Sequence, residues 1–127
     1  MSRPTLVALA IVVDGDRCLV QSRRSADCLN GLWEFPGGKV RAGEAPSVAA
    51  VRECAEETGV AVEPVAALAC QSATYPNGDV EIHPIVCRLR GCGPSGGVWV
   101  GLDELARLPM PAVNAAIIAS LRDHLQT

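Results

Sequence analysis

Three glutamates, Glu53, Glu56 and Glu57, follow a Gly-rich turn, Pro36-Gly37-Gly38, at a spacing that suits a helix. At about 100° per residue they share an arc of about 100°. Three carboxylates held that close repel one another unless a cation sits among them. Hard divalent cations such as Mg²⁺ or Mn²⁺ take carboxylate oxygens and keep positions open for water and phosphate oxygens. The plainer alternative is a solvated acidic face, the usual fate of a charge run. On the other side of the same helix Val48, Val51, Cys54, Ala55 and Thr58 form the stripe expected to pack on a core.

The residues around the glutamates decide between these readings. From Gly38, five residues lead to Glu44 and seven more to Arg52, followed by Glu53, Glu56, Glu57, Gly59 and Val60. This resembles the signature of the Nudix hydrolases, G-x5-E-x7-R-E-U-x-E-E-x-G-U with U apolar, here over 38–60. Every fixed position is matched, and the small Cys54 stands where a larger aliphatic residue is usual. The flanks 32–40 (LWEFPGGKV) and 98–105 (VWVGLDEL), and the tail from Pro109 through Asn114 to Leu121, look like the MutT-like nucleotide pyrophosphohydrolases.

The resemblance implies a Mg²⁺-dependent hydrolase, with Mn²⁺ as an alternative, acting on a small nucleotide. Metals held by the helix would bridge phosphate oxygens, withdraw charge and lower the pKa of a water. Glu56 and Glu57 are the expected direct ligands, and the family pattern adds Glu53 and the carbonyl of Gly37 or Gly38. Glu53 is also the expected base, while Arg52 and Glu44 hold the loop in shape; the simpler role for Arg52 is an i, i+4 pair with Glu56. Gly38 and Lys39 are placed at the substrate, although Lys39 could equally be solvated. Arg23, with Arg24 second, matches a phosphate- or sugar-contacting Arg, and Phe35 either walls the base pocket or fills the core. Asn114 aligns with a purine-reading Asn, whose amide can pair with the edge of 8-oxo-guanine. Its alternative is to cap the last helix. One departure from the family is the loop 91–97 (GCGPSGG), which has no carboxylate where MutT-like proteins often carry one.

The elements that must position these groups can be read in order. Leu6 to Val13 is an apolar run of strand length, Asp14-Gly15 signals a hairpin, and Arg17 to Arg23 returns. Leu32 to Phe35 is a short strand. Pro46 opens the acidic helix and Gly59 ends it. Val65 to Tyr75 and Val80 to Leu89 flank Pro76-Asn77-Gly78-Asp79, with Asn77-Gly78 expected at positive φ. Pro84 puts the second of these strands at an edge or a bulge. Val98 to Val100 is a brief strand, Asp103 to Leu108 a helical turn and Val113 to Leu125 a closing helix. The expected class is α/β (α+β), a mixed β-sheet sandwiched between α-helices.

Composition bounds the rest. With 127 residues the chain reads as one domain over 1–127, large enough to bury a core, and with 3% aromatics that core must be aliphatic. No run resembles a membrane span or leader, so no membrane partner is expected. A net charge of −3 gives no general attraction to a nucleic-acid polymer. The six cysteines form no CxxC pair and have no His at ligand spacing, which argues against zinc and for small buried hydrophobes in a reducing cytoplasm. His83 is expected within a sheet, with no dyad partner beside it in sequence. Nothing in the chain signals an oligomeric state. The leading function that the resemblance implies is hydrolysis of oxidised dGTP to the monophosphate and pyrophosphate. The alternatives are the same chemistry on a cytidine nucleotide, nucleotide sugar or ADP-ribose, and a non-catalytic binding module of the same fold.

Overall fold

The computed structural model describes residues 3–23, 31–91 and 96–126. Its organising strand is β1 (Thr5–Asp14), whose alternation divides the core in two. Ala8, Ala10 and Val12 point to one side of the sheet, and Leu9, Ile11 and Val13 to the other. Beside it lies β7 (Gly78–Leu89), parallel to β1 from Thr5↔Val80 to Val12↔Cys87. The remaining pairings are antiparallel. On its other edge β1 meets β4 (Gly37–Lys39) and then β2 (Arg17–Ser22), which in turn pairs β8 (Val98–Gly101) and β3 (Trp33–Glu34). Beyond β7 lie β5 (Val62–Ala67) and β6 (Gln71–Tyr75). Helix α1 (Pro46–Thr58) covers the face bearing Ala8 and Ala10, and α2 (Asn114–Leu125) covers the face bearing Ile11. A mixed sheet between helical layers is therefore the observed class. Among the described residues no helix is long and apolar enough to cross a membrane.

Local signals hold at α1. Pro46 occupies its first turn, and Gly59 ends it in the left-handed region at φ 73°, its N–H donating to Ala55 O. The buried stripe differs from expectation. Ala49, Ala50, Cys54 and Thr58 are buried, while Val48 is 56% exposed and Ala55 also faces solvent. On a wheel of about 100° per residue Glu53 and Glu57 then fall between Ala49 and Ala50, Glu53 being half-buried while Glu56 and Glu57 are exposed. Alanine side chains at both levels let the helix approach Ala8 and Ala10 closely, which larger side chains would prevent.

Three further expectations are corrected in the β5–β7 region. The run from Val65 to Tyr75 is two strands, broken at Leu68–Cys70, each pairing a different half of β7. Pro84 is not at an edge but in the interior strand, opposite Leu9 of β1. Its carbonyl accepts from Leu68 N at the strand break, so its missing donor faces the gap between β5 and β6. In the β6–β7 hairpin the two turn residues are Pro76 and Asn77, since Tyr75 pairs with Gly78. Only Gly78 has positive φ, because proline at the first turn position holds φ near −65° and excludes the mirror-image turn. Cys18, Cys54 and Cys87 are buried as expected, but Cys70 is exposed; Cys28 and Cys92 lie outside the described residues. Burial pushes the Cys18 and Cys87 thiols up to about 12, which leaves them inert.

The helix–sheet contact is directly testable. Ala50→Leu forces extra methylenes into a closed gap and should cost about 1–3 kcal/mol. Val48→Ala, on the exposed side, should change stability by less than about 0.5 kcal/mol. Urea unfolding of the two variants checks this, and the reverse order would mean that α1 presents the other face.

Candidate active site

The centre of the site is the Arg52 guanidinium. Its Nε and Nη2 donate to the two oxygens of Glu44, both at 2.9 Å, in a fork that matches the carboxylate plane. Nη1 donates to Glu53 Oε1 at 2.8 Å and to Glu56 Oε2 at 3.4 Å, and Nη2 also reaches the Lys39 carbonyl at 3.1 Å. The side chains of Arg52, Glu44 and Glu53 are 17%, 12% and 16% exposed, so these are enclosed contacts rather than rim ion pairs. The Arg52 fork, and then the Arg41 N–H donating to Glu44 Oε1 at 3.0 Å, hold the Glu44 carboxyl down at about 2. The same carboxylates raise the proton affinity of Arg52, Glu44 contributing most. Among the three helix glutamates, then, the protein supplies a cation of its own to Glu53 and Glu56. Arg41 adds a longer contact, 3.8 Å from Glu56.

Glu57 is held differently. Its Oε1 accepts from Gly37 N at 3.0 Å and from Gln21 Nε2 at 2.8 Å. Burial of this end of the side chain lifts the carboxyl above its usual range, against the lowering pull of those two bonds, and Glu53 and Glu34 push it further up. Strand β4 passes so close that side chains are excluded. A Cβ on Gly38 would lie 2.6 Å from Glu53 Cδ, and one on Gly37 would strike the Ala8 carbonyl. Gly38 therefore lets Glu53 lie against β4, and Gly37 lets β4 lie against β1. The three glutamates form an oxygen-only set whose donor chemistry fits a hard divalent cation.

The second group of predicted residues gathers on the other side of the sheet. A cavity of about 400 Å³ is lined by Arg23, Glu34, Phe35 and Asn114, with Tyr75 and Asn77 from the β6–β7 hairpin. Phe35 is 1% exposed and serves both as core and as cavity wall. Asn114 is the first helical residue of α2, 4% exposed, and makes no capping hydrogen bond. Its Nδ2 lies 3.6 Å from Met110 Sδ, a weak acceptor. Arg23 Nη1 donates to Glu34 Oε2 at 3.2 Å.

Thus Glu44, Arg52, Glu53, Glu56 and Glu57 come together with Gly37, Gly38 and the Lys39 backbone, while the Lys39 side chain faces solvent. Arg23, Phe35 and Asn114 form a separate cluster. Two residues absent from the sequence reading join the clusters. Gln21 bonds Glu57 and is the ladder partner of Glu34, which bonds Arg23. No motif marks Gln21 or Glu34; the only available hint was their place on strands already predicted beside the Gly-rich turn. Arg24 and residues 92–95 of the carboxylate-free loop lie outside the described residues.

Comparison with known proteins gives this geometry a family. The NUDIX domain model matches residues 3–121. The 8-oxo-dGTP diphosphatase of Escherichia coli (strain K12) is 30% identical over 122 residues, 91% of this chain and 95% of that protein. A MutT-like protein of Streptomyces ambofaciens is 43% identical over 107 residues, 76% of this chain and 63% of that protein. Among solved structures, the MutT protein from Methanosarcina mazei Go1 has a TM-score of 0.80 at 18% identity, covering 100% of this chain and 99% of that one, a likeness of fold. With the complete carboxylate signature on α1 and the matching sheet, this chain belongs to the Nudix hydrolases, in their MutT-like branch, and is an enzyme of phosphoric anhydride bonds.

Proposed function

We propose that the protein is a Mg²⁺-dependent nucleoside triphosphate pyrophosphohydrolase that acts on oxidised purine nucleotides such as 8-oxo-dGTP. The observation that carries this reading is the cavity in which Asn114, buried and not engaged in capping, faces the same space as Phe35 and the Arg23–Glu34 pair. The 8-oxo-dGTP diphosphatase of Escherichia coli, similar over 91% of this chain, supports the same substrate.

In this reading water adds to phosphorus, the α–β anhydride bond breaks, and the monophosphate, pyrophosphate and a proton leave. Nudix hydrolases use divalent cations, and Mg²⁺ bound by Glu53, Glu56 and Glu57 would neutralise phosphate charge and acidify water. Glu53, 2.8 Å from the Arg52 guanidinium, is the proposed base, its orientation set by that bond. Glu57 is oriented by Gly37 N and Gln21, which leave its second oxygen for the cation. Arg52 and Glu44 act as positioning residues, tying the helix to the loop after β4. In the cavity Asn114 would pair with the purine edge, Phe35 would wall the ring, and Arg23 would meet sugar or phosphate.

Three outcomes test this. Glu57→Gln should keep the fold by circular dichroism and lose roughly a thousandfold in kcat with Mg²⁺; retention of more than a tenth of the turnover would remove Glu57 from the ligand set. Asn114→Ala should lower the preference in kcat/KM for 8-oxo-dGTP over dGTP by about ten- to a hundredfold. An unchanged ratio would retire the oxidised-guanine substrate while leaving the hydrolase assignment in place. The third outcome concerns pH. Glu44 is held at about 2 in the folded protein, below its ordinary value of 4.5, so its contribution to stability is complete above the ordinary value and is lost as pH falls toward the folded one. The melting temperature of Glu44→Gln should therefore lie below wild type at pH 7, and the gap should close as pH is lowered through this window. A gap independent of pH would show that the carboxylate charge is not what Arg52 uses.

A further inference from the structure

Away from the glutamates, the β6–β7 hairpin carries a second group of metal-binding side chains. Glu81 and His83 are two residues apart on β7 and so project to one face of the sheet. Cys70 immediately precedes β6, whose first pair is Gln71↔Ile82, and extending that register brings it opposite His83. The Cys70 Sγ lies 3.2 Å from His83 Nδ1, and Glu81 Oε1 lies 3.2 Å from His83 Nε2. One donor atom from each residue lies within 4.8 Å of the other two.

Two observations suggest more than chance proximity. The His83 Nε2 atom is buried, yet among the described residues it makes no hydrogen bond, because Glu81 is near but misaligned. A buried imidazole nitrogen without a partner is costly and asks for a ligand. The donor set is also chemically distinct from that of α1. Thiolate and imidazole suit a borderline or soft cation, whereas the helix offers only carboxylates. Zinc bonds of about 2.0–2.3 Å place tetrahedral donors roughly 3.3–3.8 Å apart. An ion takes one imidazole nitrogen, so binding at Nε2 beside Glu81 requires the Cys70 thiol, now at Nδ1, to swing round the ring edge, with the donor atoms already within 4.8 Å of one another. Cys70 is exposed, which leaves solvent access for entry and for a water in the fourth position.

We propose that Cys70, Glu81 and His83 form a Zn²⁺ site that clamps the break between β5 and β6 onto β7. Binding replaces the thiol proton of Cys70, which passes to solvent, and makes metal uptake pH-dependent. The site sits where Leu68–Cys70 leave the ladder, so a bound ion substitutes for missing backbone pairing and stabilises the folded state by mass action.

The test uses the full chain, reduced and stripped of metal, in excess Mg²⁺. Titration should give one Zn²⁺ bound per chain and a raised melting temperature. Co²⁺ in its place should give a near-ultraviolet thiolate charge-transfer band. Cys70→Ser and His83→Gln should each weaken Zn²⁺ binding by at least about a hundredfold, and Cys70→Ser should abolish the cobalt band. Glu57→Gln should leave both readouts unchanged. On wild-type protein, Zn²⁺ should also protect Cys70 from alkylation, read by peptide mass, which requires no variant to fold. Absence of the band, unprotected Cys70, or Zn²⁺ binding that survives both substitutions would overturn the proposal and reduce the cluster to a thiol–imidazole contact.

Discussion

Much of the site depends on one guanidinium. Arg52 reaches Glu44, Glu53, Glu56 and the Lys39 carbonyl at once, and so joins helix α1 to the loop that precedes it and to strand β4. A planar five-donor fork can do this and a lysine ammonium cannot. The arrangement also answers the electrostatic problem posed by clustered carboxylates. Repulsion between Glu53 and Glu56 is offset from within the chain by the Arg52 guanidinium, so the two carboxylates can stay close. The Glu44 carboxyl, held at about 2, remains charged throughout the neutral range and keeps Arg52 in place.

Close approach is the second constraint. Glu53 and Glu57 lie beside the sheet-facing alanines of α1, where a larger residue than glycine at 38, or than alanine at 49 or 50, would hold helix and strand apart. Small residues in this interface therefore set where Glu53 lies as much as they set the packing. The core on this face is built mainly from alanine, valine and cysteine, with Leu19 and Ile85, and Trp99 packs against it. The larger side chains, Phe35, Ile117 and Leu121 among them, fill the opposite layer, where the cavity opens.

The sheet thus separates two kinds of work and β2 and β3 reconnect them. Carboxylates lie on the α1 side and the cavity on the α2 side, with the Gln21–Glu34 pair linking Glu57 to Arg23. On the α1 face, but on the β6–β7 hairpin, the thiol and imidazole of Cys70 and His83 form a softer donor set. The two sets differ in hardness, carboxylate oxygens alone on α1 and thiolate with imidazole on the hairpin, so under the proposed readings each would favour a different metal.

Local pattern alone determined most of the elements and the carboxylate signature, but not strand β4 or the break between β5 and β6. The spacing of Gly38, Glu44, Arg52, Glu53, Glu56 and Glu57 was readable because a helix has a fixed period and the signature residues sit on one continuous segment. Strand β1, the terminating Gly59 and the class, a mixed sheet between helical layers, followed from similarly short-range signals. What only the tertiary structure decided were relations between distant segments. Helical period places Glu53 and Glu57 on a common arc, but which neighbour that arc faces depends on how deeply Ala49 and Ala50 let the helix sink. Pro84 looked like an edge residue because a missing N–H is harmless at an edge; it is equally harmless opposite a gap, and the gap is made by a strand break elsewhere in the chain. Gln21 meets Glu57 across 36 positions and Cys70 meets His83 across 13, contacts that the sheet register creates and that no local spacing encodes.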